Sequence, residues 1–578
     1  MPRTTRRDVL SRALPCLLAV LAAWLLCSDA AAQRFFERGQ MYDRVEPRTN
    51  GWLRKMLAQF PEADSDGILT EEEARYYHFK SIPQITAHFR ETEFVPEGVT
   101  KWMAMVPMRD GFELPTAVYF PHGPGPWGTV LSRGGGAGTE GALDIGSDFL
   151  AQGLVFVQQA TRGPGVPAVE RDTTYDGYDC IEWIAAQPWS NGKVGQMGYS
   201  AGGMQNKRDC LTNPPHLTVS INCIASSSRT GTWWRGRGGE PGEEPPTIAT
   251  RGAQLDFATI DLAGWFDMFT QGQIDDWLAM RHTGKAMLVM GCGGHGPLDA
   301  AGRLPPFYGD CDIFWPRIPG WKWLTGEFDE SDAESIAYYF LMGDTTNPDA
   351  PGNVWKVTRE WPVPHVAASY YMTRDGGLRL EHPQDAAASL TYEFDPADPT
   401  PSIGRRGGGE GTGPLDQRPL RTRTDILRFA GDPLTEPLEI TGRVAVELHV
   451  SSDSPEAVFR ARLIDVYPDG YEWPVLGFST MTRYADGEPA GPASADAEVR
   501  KVTIDLFSTA LVVDRGHRIA VHVSSEPPPA RGRGGRGPTG EAEPPGPVTR
   551  NTVHVSAEHP SRLILPVVQP GVSQDYVP

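Results

Sequence analysis

The sequence predicts an α/β domain with a mainly parallel sheet followed by an all-β domain, and three observations carry that expectation. From about Val99, short apolar strand candidates alternate with helical patterns and brief connections, the rhythm of βαβ units. After about Gly343, β-rich segments separated by turns follow one another with no long amphipathic helix between them, the pattern of a sandwich or jelly roll. Gly and Pro supply 64 and 52 of the 578 residues. That is about 20% where roughly 12% is usual, so many turns and loops must join these elements.

Composition excludes several classes. Lys and Arg number 53 against 73 Asp and Glu, a formal charge of −20. A general nucleic-acid binder needs basic surface to displace counterions from phosphates, so this balance argues against one. Seven Cys do not make a disulfide scaffold. With 40% hydrophobic residues and 16 Trp the chain can bury sizeable cores, and its length suits about two to four domains.

Taken in order, residues 1–32 read as a signal peptide. Arg3, Arg6 and Arg7 precede an apolar run from Ala13 to Cys27, and Ala30, Ala31 and Ala32 offer small residues for cleavage. The run is short for a membrane span, and no later stretch is long and apolar enough to be one. Thr5 to Leu10 resembles a twin-arginine export motif, so either a general or a twin-arginine route is expected, with a mature chain outside the cytoplasm and no membrane association after cleavage.

Residues 33–97 form an N-terminal extension. Glu62, Asp64, Asp66, Gly67, Leu69 and Glu73 fall at the ligand and turn positions of an EF-hand loop, which would bind calcium through carboxylate oxygens. Glu stands at the first position in place of Asp, and no second hand is evident. The alternative is an acidic helix start, in which Asp66-Gly67 makes the turn and Glu71 to Glu73 face the positive end of the helix dipole.

Residues 98–343 form the α/β domain. Asp110-Gly111 reads as a hairpin turn, and Leu114 to Phe120 as a strand whose Pro115 predicts an edge position. Thr129 to Ser132, Leu154 to Gln158, Val194 to Gly198, Thr218 to Ala225 and Ala286 to Met290 are further strands. Asp176 to Gln187 is an amphipathic helix, closed by Pro188 and an Asn191-Gly192 turn. In residues 344–578, strands are expected at Val444 to Val450, Phe459 to Val466, Val502 to Leu506 and Arg518 to Val523. Gly404 to Gly413 and Glu526 to Pro545 are low-complexity insertions without aromatics for base stacking, expected as flexible surface loops. Outside the signal, Cys180, Cys210, Cys223, Cys292 and Cys311 are odd in number, so at least one has no intramolecular partner. Buried thiols are expected, with a Cys292 to Cys311 bridge as the alternative.

The chemistry-bearing motif is Gly198, Tyr199, Ser200, Ala201, Gly202, a G-x-S-x-G between a strand and a helix. Such a turn presents the Ser hydroxyl at the carboxyl end of a sheet, and the following helix adds a positive field beside a developing oxyanion. A hydroxyl at its ordinary pKa is a poor nucleophile and needs a base and an orienting acid. Asp267, after an apolar segment, and His295, after the Ala286 strand, supply them in the chain order of an α/β-hydrolase. Asp261, Asp275 and Asp276 compete for the acid role.

Around the nucleophile stand Thr161-Arg162-Gly163, Tyr175-Asp176-Gly177-Tyr178-Asp179, Ile181-Glu182-Trp183-Ile184 and the run from Gln187 to Gly195. Downstream come Gly264-Trp265-Phe266-Asp267, the Gly-rich segment ending in His295, and Asp465-Val466-Tyr467-Pro468-Asp469-Gly470. In these stretches the chain resembles the family of cocaine esterase, α-amino acid ester hydrolases and X-prolyl dipeptidyl-peptidases, over roughly Val99 to Val567. The resemblance implies an α/β-hydrolase domain with a C-terminal jelly roll, and it places the family triad on Ser200, Asp267 and His295.

Two departures qualify it. Members of that family usually supply an oxyanion-hole tyrosine in an Arg-x-Pro-Tyr setting, whereas Arg133 here is followed by Gly134, Gly135 and Gly136. Backbone N–H groups of Gly135 and Gly136, with that of Ala201, are the expected substitutes. The family's helical cap is also reduced, leaving Trp233, Trp234 and Trp265 as the expected substrate-binding aromatics. The reading is an exported serine hydrolase acting on a small ester, amide or peptide, with no cofactor required unless calcium binds the extension. The alternatives are an X-Pro dipeptidyl-peptidase, with Glu240, Glu243 and Glu244 recognising a free amino group, and a glycan- or polymer-binding protein carrying a relic hydrolase domain.

Overall fold

The computed structural model describes residues 100–134, 142–162, 173–228, 246–296, 298–299, 301–304, 320–325, 334–347, 349–404, 411–454, 457–481, 484–485, 488–489, 498–527, 546–572 and 574–576. These residues fall into two compact units, one within Met1–Arg171 and Trp183–Lys193, the other within Asp172–Glu182 and Val194–Pro578.

In the first unit, strands β1 (Thr100–Pro107), β2 (Glu113–Phe120) and β3 (Trp127–Arg133), helix α1 (Ala142–Ala151) and strand β4 (Val155–Gln159) follow in order. The strand order is β1-β2-β4-β3, with β1/β2 and β2/β4 antiparallel and β3/β4 parallel. The β1–β2 turn is the expected Asp110-Gly111, with Gly111 at φ 84° and the Asp110 carboxylate accepting from Phe112 N. Pro115 does not mark an edge, because β2 lies between β1 and β4. It is tolerated there because the β4 ladder begins at Thr116, paired with Gln159, so the missing N–H falls just beyond it.

Helix α2 (Asp176–Ala185) begins in the second unit and β5 (Ser190–Tyr199) ends in it, and there α3 (Ala201–Cys210), β6 (Leu217–Cys223), α4 (Ile248–Arg251), β7 (Ala258–Gly264), α5 (Thr270–Met280), β8 (Ala286–Gly291), α6 (Gly320–Thr325), β9 (Ile336–Leu341) and β10 (Val354–Thr358) succeed one another. Strands β5 to β9 run parallel in that order, as the βαβ rhythm predicts. Every residue of β7 is buried, as a strand covered on both faces should be. The Asn191-Gly192 turn lies within the start of β5, where Gly192 takes φ 80° and Asn191 Oδ1 accepts from Lys193 N.

The all-β part comprises β11 (His365–Met372), β12 (Leu378–Arg379), β13 (Ser389–Phe394), β14 (Leu427–Ala430), β15 (Leu438–Ser452), β16 (Val458–Val466), β17 (Glu472–Met481), β18 (Tyr484–Ala485), β19 (Glu488–Pro489), β20 (Arg500–Val513), β21 (Arg518–Ser525), β22 (Thr549–His554), β23 (Arg562–Val568) and β24 (Gln574–Tyr576). One sheet runs β12-β11-β23-β15-β22-β13 with β20 also paired to β15, and another runs β14-β21-β16-β17. Val444, Val446, Leu448 and Val450 alternate inward along β15, as a strand with one face on a β core should, whereas nearly all of β16 is buried. The parallel sheet continues past Gly343, since β10 and then β24 add to it antiparallel. The two parts are joined at Met342, whose N–H and C=O bond to Ala510 and Val512 of β20, and at Gln271, whose Oε1 accepts from Ser508 N.

Candidate active site

The site begins with a strained turn. Ser200 sits between β5 and α3 at φ 47° and ψ −115°, a conformation L-residues avoid unless the surroundings hold it. Its N–H donates to Cys223 O and its C=O accepts from Met204 N, so the turn is pinned to β6 and to its own helix. Gly198 makes the sharp turn feasible. A Cβ there would lie 2.5 Å from the carbonyl carbon of Gly202, a clash with backbone that no side chain can relieve. Ala201 is the first residue of α3, so its N–H stands at the positive end of the helix beside the hydroxyl.

Asp267 and His295 arrive from the ends of β7 and β8. These strands lie side by side, and the chain beyond Gly264 is drawn against the chain beyond Gly291 by bonds from Trp265 N to Gly291 O and from Phe266 N to Gly293 O. A Cβ on Gly264 would sit 2.2 Å from Gly293 O, so only glycine permits this approach. The outcome is a continuous hydrogen-bonded chain. His295 Nδ1 donates to Asp267 Oδ2 at 2.7 Å, and Ser200 Oγ lies 2.7 Å from His295 Nε2, which accepts the hydroxyl proton in that tautomer. Asp267 is fully buried, and its other oxygen accepts from Phe269 N at 2.7 Å. The imidazole is about a quarter exposed and packs on the Phe269 ring, with centroids 5.6 Å apart. The hydrogen bond to Asp267 raises the His295 pKa above the ordinary imidazole value, against the opposing effect of partial burial.

The competing acids are engaged elsewhere. Beneath the elbow, Lys207 of α3 is completely buried and ion-paired to Asp261 of β7 and, at 3.0 Å, to Asp276 of α5. Asp276 also accepts from the N–H and hydroxyl of Ser227, whose oxygen accepts from Ile248 N. Burial alone would discharge Lys207, but the two carboxylates outweigh it and hold its pKa above the usual lysine value. Burial, with the charge of Asp276, pushes Asp261 up to about 6 despite Lys207. Asp275 accepts from Gln271. Sequence reasoning missed Lys207 altogether, since one lysine among Gln205, Asn206 and Arg208 carries no sign of burial.

Trp265 is a correction. The side chain expected at the substrate is 1% exposed, donates from Nε1 to Phe340 O at 2.7 Å and stacks near Trp361. It is a core anchor because the turn after β7 directs it against β9 and Trp361. Gly135, Gly136, Trp233, Trp234, Glu240, Glu243 and Glu244, the extension residues Glu62, Asp64, Asp66 and Glu73, and Cys311 lie outside the described residues. Cys180, Cys210, Cys223 and Cys292 are buried, and burial pushes the Cys210 thiol up to about 12. Among the described residues, no three His, Cys, Asp or Glu side chains are grouped to hold a metal ion, and no helix is long and apolar enough to cross a membrane.

Comparison with known proteins agrees with the fold. Residues 110–244 match the family model of X-Pro dipeptidyl-peptidase (S15 family), and residues 331–564 match that of the X-Pro dipeptidyl-peptidase C-terminal non-catalytic domain. Cocaine esterase from a Rhodococcus species is 26% identical over an alignment covering 80% of this chain and 98% of that protein. The fold is shared with an aminopeptidase from a marine sediment Thaumarchaeota archaeon (TM-score 0.66, 21% identity, 83% of this chain and 98% of that one). It is shared also with an α-amino acid ester hydrolase (TM-score 0.62, 23% identity, 82% and 98%). The protein is therefore a serine hydrolase, an α/β-hydrolase domain with a C-terminal β domain. More narrowly, it belongs to the family of cocaine esterase, α-amino acid ester hydrolases and X-Pro dipeptidyl-peptidases, whose members act on small ester or peptide substrates.

Proposed function

We propose that this chain is an exported esterase or amidase that transfers an acyl group to water through Ser200, His295 and Asp267. The observation that carries the reading is the Asp267–His295–Ser200 chain, two contacts of 2.7 Å ending on a hydroxyl held in a strained turn. Ser200 Oγ attacks the carbonyl carbon while His295 Nε2 takes its proton. The oxyanion that forms faces the Ala201 N–H at the head of α3, with the Gly135 and Gly136 N–H groups as proposed further donors. His295 then returns the proton to the departing alcohol or amine, and Asp267 stabilises the imidazolium in between. Water, activated by the same imidazole, releases the acyl group. These steps call on no metal or organic cofactor. Export rests on the Arg-rich start, apolar run and small residues of the first 32 positions.

Labelling with a fluorophosphonate probe tests the nucleophile. Wild type is expected to label and Ser200→Ala not to, and a folded wild type that stays unlabelled would sink the reading. The family model over residues 110–244 favours a second reading, release of X-Pro dipeptides. A panel of p-nitrophenyl esters and X-Pro anilides decides between them by the ratio of kcat/KM values.

A further inference from the structure

Beyond His295 the chain runs onto the β domain and is gripped there at several points. Asp299 N donates to Thr412 O at 3.2 Å, and Asp299 Oδ2 accepts from Gly411 N at 2.9 Å. Four residues on, Arg303 is held by almost every group it owns. Its N–H donates to the Tyr471 hydroxyl at 3.3 Å, which in turn donates to Pro414 O, and its C=O accepts from Trp473 Nε1 at 2.8 Å. Its guanidinium forms a two-pronged bridge to Asp469, at 2.5 and 3.4 Å, and lies over the rings of Tyr467 and Tyr471, 4.7 and 4.0 Å from their centroids. Tyr467 to Tyr471 make up the turn between β16 and β17, closed by bonds from Tyr467 N to Tyr471 O and from Gly470 N to Tyr467 O, and Trp473 is the second residue of β17. Trp473 touches the acid side as well: its ring meets Phe266, the neighbour of Asp267, edge-on at 5.8 Å.

We infer that Arg303 is a positioning residue for His295: clamped by the β16–β17 turn, it fixes the far end of the loop whose near end holds the imidazole between Ser200 and Asp267. The inference rests on the reading of those three residues as nucleophile, base and acid. One rigid indole contacts both catalytic loops, through Arg303 O on one side and Phe266 on the other, so the β domain sets their separation. The loop leaves β8 at Gly291 and is anchored again at Asp299 and Arg303, so His295 is suspended between two fixed ends. Arginine suits the task because a planar fork can meet a carboxylate and lie against tyrosine rings at once, which an ammonium cannot.

The test uses the full-length protein. Arg303→Met keeps the apolar stem and removes the fork; Arg303→Lys restores charge without planarity; Tyr471→Phe deletes only the hydroxyl that receives Arg303 N–H. Each is compared for kcat and KM on a p-nitrophenyl ester, for the fraction of sites labelled by fluorophosphonate, and for pH dependence. Arg303→Met is expected to lower kcat per labelled site about 10- to 100-fold, the scale of a small misplacement of reacting groups, with KM within about two-fold. Its acid limb should move to lower pH as the Asp267 contact loosens. Arg303→Lys should recover part of the rate, and Tyr471→Phe should show the same pattern more weakly. Arg379→Met, at an exposed pair with Asp375 elsewhere on the β domain, should behave as wild type.

An unchanged kcat per labelled site in Arg303→Met and Tyr471→Phe overturns the inference. So does a loss that merely tracks the fraction of labelled sites, the mark of a stability effect. If Arg303→Met does not fold, Tyr471→Phe and Arg303→Lys alone decide by the same criteria. Ser200→Ala tells the two levels apart: full activity in that variant overturns the triad itself, whereas an inactive Ser200→Ala beside an unaffected Arg303→Met overturns only the clamp.

Discussion

Two charged side chains brace this site in opposite ways. Lys207 is sealed beneath Ser200 with two carboxylates, fully buried, while Arg303, on the loop beyond His295, is held by the β16–β17 turn, with its partner Asp469 about half exposed. Charge removed from water is costly and must be matched by partners, so breaking a buried set leaves uncompensated charge in the core. A partly exposed pair is screened and adds little stability, but a fork pinned between a carboxylate and two rings still restricts geometry. On the proposed reading the difference separates holding the fold together from holding His295 in place, and it makes distinct demands on stability and rate.

The largest effect belongs to neither brace. Asp267→Asn should leave the geometry intact and cost about 10⁴-fold in kcat, because the amide stabilises the wrong imidazole tautomer. It should also displace the pH profile. In its proposed role as base His295 acts only when neutral, so kcat/KM should rise as pH climbs through its pKa, which the Asp267 bond holds above the ordinary imidazole value. Removing the carboxylate lowers that pKa, and the acid limb moves to lower pH. A steady-state pH series on both proteins checks the sign; a limb that moves up, or not at all, would contradict the assignment of Asp267.

Next is Lys207→Met. It strands Asp261 and Asp276 without their cation, and the expected loss is about 3–5 kcal/mol of stability, read as a fall in urea midpoint at unchanged slope. Molecules that remain folded should show nearly wild-type kcat per labelled site, the reverse of the pattern expected at Arg303. If Lys207→Met instead keeps its stability and loses kcat, the contrast between the two braces fails.

How much of this the sequence disclosed follows from the range of the interactions. The Ser200 turn was legible because Gly198, Ser200 and Gly202 lie within five residues and local sterics dictate the sharp strand-to-helix turn. Asp267 and His295 were legible because parallel strands deliver their carboxyl ends to one edge, so residues just after β7 and β8 must meet. Lys207 and Arg303 were not legible. Their partners lie at least 54 and at least 164 positions away, and each looks locally like a solvated helix or loop cation. Trp265 misled for a related reason: proximity to the acid in sequence says nothing about which face of the turn an indole takes. Pro115 misled because a proline is also tolerated where a neighbouring ladder starts one residue later.

The smallest effect sharpens the comparison most, because it asks why Lys207 has two carboxylates. One cation against two anions leaves a negative charge in the core, and its cost appears in Asp261, whose pKa is pushed up to about 6 by burial first and by Asp276 second. A carboxyl whose folded pKa lies above its unfolded value of 3.8 contributes stability that is fully present below pH 3.8 and is lost as pH rises through about 6. Asp261→Asn removes that titration and leaves Lys207 neutralised by Asp276. Across pH 4 to 6 the stability of wild type minus that of Asp261→Asn should therefore decline, and near neutral pH the variant should lose far less than Lys207→Met. Urea melts of both proteins at half-unit steps measure the difference. A flat difference would mean that Asp261 is ionised throughout and that the surplus charge is borne by another group in the cluster.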